Sequence, residues 1–161
     1  MGVDPGLTRC GIAIVQDAPS RKIELIQVQV ARTLPNLPTA ERLLLLERAL
    51  ISMVEEFEPE VMAIEQVFSQ HNLKSVIGTA QAAGVAMLVA ARSQLKVVTH
   101  TPTQIKAAVT GSGRADKKQV TQMVKKICNL QEAPKPADAA DAIALGICHL
   151  WHNPKLAKAV S

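Results

Sequence analysis

The chain has 161 residues, of which 48% are hydrophobic and 20% charged, and it carries a net charge of +4. This length and composition predict a globular domain with a substantial core and exclude a disordered chain. Two Phe, one Trp and no Tyr leave an aliphatic core and few side chains on which a base could stack. The mild basicity is compatible with a polyanionic partner but does not establish one.

The cysteines and the apolar runs indicate the compartment. The three cysteines are odd in number and widely spaced, which argues against a disulfide framework and predicts core thiols in a reducing environment. No secretory signal precedes the first motif, and the longest apolar stretch, residues 85–91, is too short to span a bilayer. We therefore expect a cytoplasmic protein with no membrane attachment. The cysteines are Cys10, Cys128 and Cys148.

The first part of the chain predicts four strands and one long helix. A short strand, residues 1–3, leads into Asp-Pro-Gly, and alternating segments at 9–16 and 23–30 predict a hairpin. A helix follows, capped by Thr39 and ended by Pro59, and "VMAIE" at 61–65 predicts a buried strand. The expected buried stripe of that helix is Leu43, Leu46, Leu50, Ile51 and Val54.

The second part predicts alternating helices and one strand. An Ala- and Gly-rich helix at 73–94 precedes a strand at 96–100 and a short helix opened by Pro102. A basic glycine loop, an amphipathic helix at 117–128 and a last helix at 137–152 complete the domain, with 153–161 expected to be a frayed tail. The order β-β-β-α-β-α-β-α-α-α predicts an α/β fold with one mixed five-stranded sheet flanked by helices.

Two acidic residues end predicted strands. Asp4 and Glu65 follow strands that the topology makes parallel neighbours, so their side chains are expected to meet at one sheet edge, where α/β folds place their sites. Each also has an ordinary explanation. Asp4 belongs to a strong turn sequence, and Glu65 could be a solvated strand end.

Asp138 and Asp141 are three residues apart at the start of the last helix and therefore share one face. The helix dipole alone would favour them by about 0.3–1 kcal/mol each. However, two charges about 5 Å apart repel by roughly 3 kcal/mol at an effective dielectric of 20, which the dipole cannot offset for four carboxylates together. Oxygen-only ligands suit Mg²⁺ or Mn²⁺. If the four carboxylates converge, a metal-dependent nuclease is the natural chemistry.

Four stretches of the chain, in the expected order, resemble the RuvC family of Holliday junction resolvases within the RNase H/integrase-like superfamily. The resemblance implies an RNase H-like nuclease domain at 1–152 and a structure-selective endonuclease that nicks four-way DNA junctions symmetrically in recombination and repair. The one departure is that the family usually has a few more residues before the first Asp-Pro-Gly. The stretches are "GVDPG" (2–6), "AIEQVF" (63–68), "HTPTQIKAAVTGSGRADKKQV" (100–120) and "ADAADAIALGICH" (137–149).

The resemblance also implies roles for individual residues. The four catalytic, metal-binding carboxylates fall on Asp4, Glu65, Asp138 and Asp141, with Mg²⁺ as cofactor, Mn²⁺ able to substitute, and two ions in each site. Phe68 would be a wedge that stacks on bases at the junction centre, although a core phenylalanine is the ordinary alternative.

The basic residues around the glycine loop are candidates for DNA contact. The loop offers backbone amides and charge together, although a solvated lysine face is the ordinary explanation. The resemblance implies that Lys106 and Lys117 bind DNA near the scissile phosphate, with Lys117 preferred to its neighbour as the counterpart. The candidate DNA-binding set is Lys106, Arg114, Lys117 and Lys118.

The implied partners are the four-way DNA junction, a second copy of the chain, and a junction-binding and branch-migration complex of RuvA and RuvB at the bacterial nucleoid. The Ala/Gly-rich helix at 73–94 could form the homodimer interface or pack tightly on its own sheet.

Three other functions compete with this interpretation. "DPGLTRCGIAIV" is also compatible with the phosphate motif of actin-like or sugar-kinase-like ATPases, but 161 residues supply only one of the two halves those proteins need. A non-catalytic junction binder should have lost at least one carboxylate. A related RNase H-like nuclease acting on RNA would be separated by its substrate.

Overall fold

The computed structural model describes residues 1–19, 22–66 and 73–152, and its elements follow the predicted order. The N-terminal elements are β1 Gly2–Asp4, β2 Arg9–Ala18, β3 Lys22–Arg32, α1 Thr39–Phe57 and β4 Val61–Glu65. The C-terminal elements are α2 Leu73–Arg92, β5 Lys96–His100, α3 Pro102–Thr110, α4 Lys117–Ile127 and α5 Ala137–His152. The predicted tail at 153–161 lies outside the described residues.

The five strands form one mixed sheet in the order β3-β2-β1-β4-β5, which confirms the predicted architecture. β1 pairs antiparallel with β2 and parallel with β4, and β4 pairs parallel with β5. The parallel pairs are reached through helical crossovers, as such pairs require. β1 therefore lies in the middle of the sheet, and Asp4 is its last residue rather than part of the following turn.

Helices cover both faces of the sheet. α1 and α2 pack on one face, where Val3, Met62 and Ile64 belong to the same buried cluster as Leu46 and Leu50. α3, α4 and α5 cover the other, where Ala63 packs with apolar residues of all three helices. Because side chains alternate along a strand, Glu65 shares the face of Ala63, and Asp4 lies on the face opposite Val3. Both carboxylates thus end their strands on the α5 side.

The beginning of α1 differs from the prediction. Its N-cap residue is Pro38, and no side chain makes a capping hydrogen bond there, so Thr39 is the first helical residue and not the cap. The buried stripe is also rotated. Leu46, Leu50 and Val54 are buried as predicted, whereas Arg42 and Met53 take the buried positions expected of Leu43 and Ile51.

The cysteine prediction is confirmed in two of three cases. Cys10 and Cys148 are buried, whereas Cys128, at the C-terminal end of α4, is only partly buried. Among the described residues, no helix combines the length and the apolar character that crossing a bilayer requires.

Candidate active site

Backbone-to-backbone packing places the start of α5 against β1 and β2. A β-carbon on Gly11 would collide with the carbonyl oxygen of Asp138, and one on Gly2 would collide with the carbonyl oxygen of Ala142. Glycine is therefore required where the helix approaches the strands so closely. Gly11 is the register partner of Asp4, so this contact brings the first turn of α5 beside the end of β1.

Asp4 and Glu65 form the inner pair of the site. Their strands run parallel, with Val3 opposite Ile64, and the two carboxyl side chains share a hydrogen bond. The pKa of Asp4 is raised to about 8, mainly by burial and in addition by the nearby charges of Glu65, Asp141 and Asp138. Burial also raises the pKa of Glu65, which the hydrogen bond from Asp4 opposes. The two side chains thus share a proton, with Asp4 as the donor.

Asp138 and Asp141 form the outer pair, and each forms an ion pair with a basic side chain from another element. Arg9 Nε lies 3.3 Å from Asp138 Oδ2, and Lys117 Nζ lies 3.1 Å from Asp141 Oδ2. The attraction of Asp141 raises the pKa of Lys117, with smaller contributions from Asp4 and Asp138. The cation side chains are 57% and 74% exposed, so both reach the cluster from its solvent side.

The structure therefore brings the four predicted carboxylates into one electrostatic cluster, but their side chains are not arranged as a complete set of metal ligands. Within 1–19, 22–66 and 73–152, no three His, Cys, Asp or Glu side chains are arranged to hold a metal ion as they stand. A shared proton and two basic side chains take up the negative charge instead. The donor chemistry nevertheless fits Mg²⁺ or Mn²⁺, because all donors are carboxylate oxygens whose mutual repulsion a divalent ion would relieve.

Two of the predicted basic residues lie within electrostatic reach of the carboxylates. Lys117, on α4, and Lys106, half-buried on α3, both lower the pKa of Glu65 against the effect of burial. Lys118 is exposed at the next position of α4. Arg114 lines a cavity of about 520 Å³ formed by the end of α3, the loop that follows it and α4.

Hydrogen bonds order the glycine loop that leads to Lys117. Thr110 Oγ1 donates to the carbonyl oxygen of Lys106 at 2.8 Å, and the amide of Ser112 donates to Thr110 Oγ1 at 3.1 Å. Asp116 then caps α4 in a capping box with Gln119, accepting from its amide at 2.8 Å. Because Lys117 is the first residue of α4, this cap sets the direction in which its side chain leaves the helix.

Sequence reasoning missed Arg42, which ties the turn after Asp4 to α1. Arg42 is buried, and it donates from Nε to Thr33 Oγ1 at 2.9 Å and from Nη2 to Thr8 Oγ1 at 2.7 Å. Thr33 Oγ1 in turn donates to the carbonyl oxygen of Leu7. The signal was available, because Arg42 precedes Leu46 and Leu50 at helical spacing and so lies on the buried face.

Arg9 was also missed, and no sequence signal pointed to it. It is the first residue of β2, and its ion pair with Asp138 joins positions 129 residues apart, so only the packing of α5 reveals it. Of the remaining predicted site residues, Phe68 lies outside the described residues.

Comparisons with known proteins agree with this geometry. A family model described as "Crossover junction endodeoxyribonuclease RuvC" matches residues 1–149. A protein of that name from Salinispora arenicola is 54% identical over 153 residues, covering 95% of this chain and 87% of the relative. Another, from Saccharopolyspora erythraea, is 55% identical over 154 residues, covering 96% and 77% of the two chains.

Solved structures show the same fold. The Thermus thermophilus RuvC in complex with a Holliday junction substrate superposes with a TM-score of 0.90 at 30% identity, covering 96% of this chain and 93% of that one. The yeast mitochondrial Holliday junction resolvase Ydc2 superposes with a TM-score of 0.72 at 13% identity, covering 98% and 80%. This second likeness bears on the fold alone, and both agree with the predicted RNase H-like architecture.

Proposed function

The chain belongs to the RuvC family of crossover junction endodeoxyribonucleases, and we propose that it resolves four-way DNA junctions by paired symmetric nicks during recombination and repair. The observation that carries this proposal is the meeting of four carboxylates from β1, β4 and α5 with basic side chains at one sheet edge. The superposition on a relative bound to a Holliday junction supports the same substrate class.

The proposed ligands of the catalytic ions are Asp4, Glu65, Asp138 and Asp141, which would hold two Mg²⁺ per site or Mn²⁺ in their place. When bound, such a pair of ions activates the attacking water and stabilises charge on the phosphodiester. Asp4 must lose its proton before it can bind a cation. Because its pKa is raised to about 8, this loss is a condition for metal binding near neutral pH. The unusual pKa itself supports a functional role.

The proposed DNA contacts extend outward from the carboxylates. Lys106 and Lys117 are close enough to Glu65 to act on a phosphate at the reacting position. Lys118 and Arg114 would contact the backbone further along the strand, where phosphate contacts orient the DNA without reading its sequence. The proposal that Phe68 is a wedge at the junction centre rests on the sequence resemblance.

A homodimer is supported by the outer face of α2. Gly78, Ala82 and Ala86 face inward, where Gly78 lies against Leu7. The opposite side is apolar and exposed, and a β-carbon on Gly84 would meet nothing within 4 Å, so another helix could approach closely there. Tight packing on the sheet and formation of a dimer interface would thus involve opposite sides of this one helix. The outer face comprises Ile77, Ala80, Gly84, Met87 and Leu88.

We propose that a dimer would present two such sites to a two-fold symmetric junction. Residues 1–152 would act as one nuclease domain in the cytoplasm, at the nucleoid. RuvA and RuvB would deliver the junction to it.

The decisive experiment incubates a synthetic four-way junction with Mg²⁺ and compares wild type with Asp138→Asn. We expect symmetric nicks from the wild type and bound, intact junction from the variant. Asp17→Asn, at an exposed position of β2, is the matched control and should cleave as wild type does. Cleavage of an RNA-containing duplex in place of the junction would overturn the proposed substrate.

A further inference from the structure

Arg9 forms an ion pair with Asp138, a carboxylate that the proposed function assigns to a metal ion. Its backbone is paired with Arg32 at the start of the β2–β3 ladder, so the sheet fixes where the side chain begins. Its guanidinium Nε lies 3.3 Å from Asp138 Oδ2, and the Asp138 side chain is only 19% exposed. The geometry therefore places a permanent positive charge against a mostly buried oxygen of the cluster.

The Arg9 guanidinium differs from the basic side chain of an ordinary surface ion pair in two ways. A guanidinium is not deprotonated in proteins, so raising the pH does not release Asp138 from it. Asp138 also lies in the first turn of α5, which packs on Gly11 beside Asp4, so the carboxylate that Arg9 contacts belongs to the same cluster. A divalent ion using Asp138 must displace the guanidinium or share the carboxylate with it.

We propose that Arg9 is a built-in competitor for the metal ion at Asp138. It holds that carboxylate in the metal-free protein and raises the divalent-ion concentration at which the site fills. The inference rests on the proposed function in one respect, namely that Asp138 is a metal ligand. Arg9 acts through Asp138 and is a positioning residue, not a catalytic one.

The direction in which the affinity for divalent ions changes on removal of Arg9 distinguishes this role from a structural one. Removing the guanidinium leaves the cluster more negative, so divalent ions should bind more tightly. A side chain that merely supported the fold would, when removed, loosen the site and weaken binding. Because the Arg9 side chain is more than half exposed, solvent screens the pair, and its loss corresponds to a change of about two- to fivefold in metal affinity.

The test measures Mn²⁺ binding without DNA, by the loss of the free-ion electron paramagnetic resonance signal. All proteins are compared at one fixed pH and ionic strength. The proteins compared are wild type, Arg9→Gln, Arg9→Lys and Arg92→Gln. Arg92 of α2 is the matched control, because it forms an exposed ion pair with Glu47 of α1. Its Nη1 lies 2.7 Å from Glu47 Oε1.

We expect Arg9→Gln to bind Mn²⁺ about two- to fivefold more tightly. Arg9→Lys should lie close to wild type, and Arg92→Gln should not differ from it. In an Asp138→Asn background the Arg9→Gln gain should disappear, because the coupled carboxylate is gone. Equal or weaker Mn²⁺ binding by Arg9→Gln, a gain that persists in Asp138→Asn, or no Mn²⁺ binding by the wild type would each overturn the proposal.

Junction cleavage, measured separately on the same proteins, distinguishes failure of the proposed nuclease function from failure of the proposed role of Arg9. If the affinity shift occurs and none of the proteins cuts a junction, the proposed nuclease function fails while the competitor role stands. If the wild type cuts and the affinity does not shift, only the competitor role fails.

Discussion

Gly11 lies directly against Asp138, so that a β-carbon on Gly11 would be 2.9 Å from the carbonyl carbon of Asp138. Gly11 is also opposite Asp4 in the sheet, so this one contact connects a carboxylate of β1 with the carboxylates of α5. The arrangement of the site therefore depends on a residue that has no side chain.

Replacing Gly11 by Ala should both destabilise the fold and disable the site, because the clash is with backbone rather than with a flexible side chain. Overpacking of this kind costs about 1–3 kcal/mol. Chemical denaturation measures the loss, and junction cleavage should fall further than the unfolded fraction explains. Glu55→Ala, at an exposed position of α1, is the control and should change neither stability nor cleavage. A Gly11→Ala protein as stable as Glu55→Ala would contradict the packing argument.

Arg42 should stabilise the turn that follows Asp4. Arg42→Gln leaves the hydroxyls of Thr8 and Thr33 without their charged donor, and hydrogen bonds to charged groups contribute about 1.5–3 kcal/mol each. We expect lower stability and faster amide hydrogen exchange in the turn between β1 and β2. Arg48→Gln, at an exposed position of the same helix, should change neither. Exchange that accelerates evenly over the whole chain would indicate a global effect only.

The shared proton predicts how stability depends on pH in the metal-free protein. Asp4 has a pKa of about 8 when folded and an ordinary value near 4 when unfolded, so between these values the folded state binds more protons. Its contribution to stability is therefore full below pH 4 and is lost as the pH rises towards 8. The difference in unfolding free energy between wild type and Asp4→Asn should fall by about 1.4 kcal/mol per pH unit in this window. Comparing the two proteins in EDTA cancels the titration of groups that do not interact with Asp4, and a flat or rising difference would show that Asp4 is ionised when folded.

The sheet and its carboxylates were predictable because their signals are local. Alternating residues and turn sequences define the strands, and Asp4 and Glu65 each stand where a strand ends, so topology alone brings them together. The spacing of Asp138 and Asp141 likewise places both on one helix face without knowledge of the packing.

The charges around those carboxylates were not predictable in the same way. The pairs Arg9–Asp138 and Lys117–Asp141 join distant elements, and they exist because α5 packs closely on glycines that show no periodic pattern. The prediction for α1 was wrong for a different reason. Helical spacing places Arg42 on the buried face, but only the fold shows that Thr8 and Thr33 accept its hydrogen bonds there.

Lys117 and Lys118 are adjacent, yet only Lys117 is shown to pair with a carboxylate of the cluster. Lys117→Gln should lower junction cleavage by about a hundredfold, the scale for losing one group that stabilises developing charge. Lys118→Gln should mainly weaken binding, and each variant should reduce the salt slope of junction affinity by about one. Single-turnover cleavage and binding titrations at several salt concentrations make the comparison. Equal cleavage defects in the two variants would remove the distinction between them.

The exposed face of α2 should hold two copies of the chain together. Met87 and Leu88 are 42% and 48% exposed, and Met87→Glu places a charge where the proposed interface would bury it. Sedimentation should show the wild type as a dimer and Met87→Glu as a folded monomer, which should nick one strand of a junction without the paired second nick. Leu34→Glu is the matched control, because Leu34 is 63% exposed in the segment between β3 and α1, outside α2, and its replacement should leave the dimer intact. A Met87→Glu protein that remains dimeric would place the interface elsewhere, because a glutamate buried there without a partner would cost more than the apolar contact it replaces.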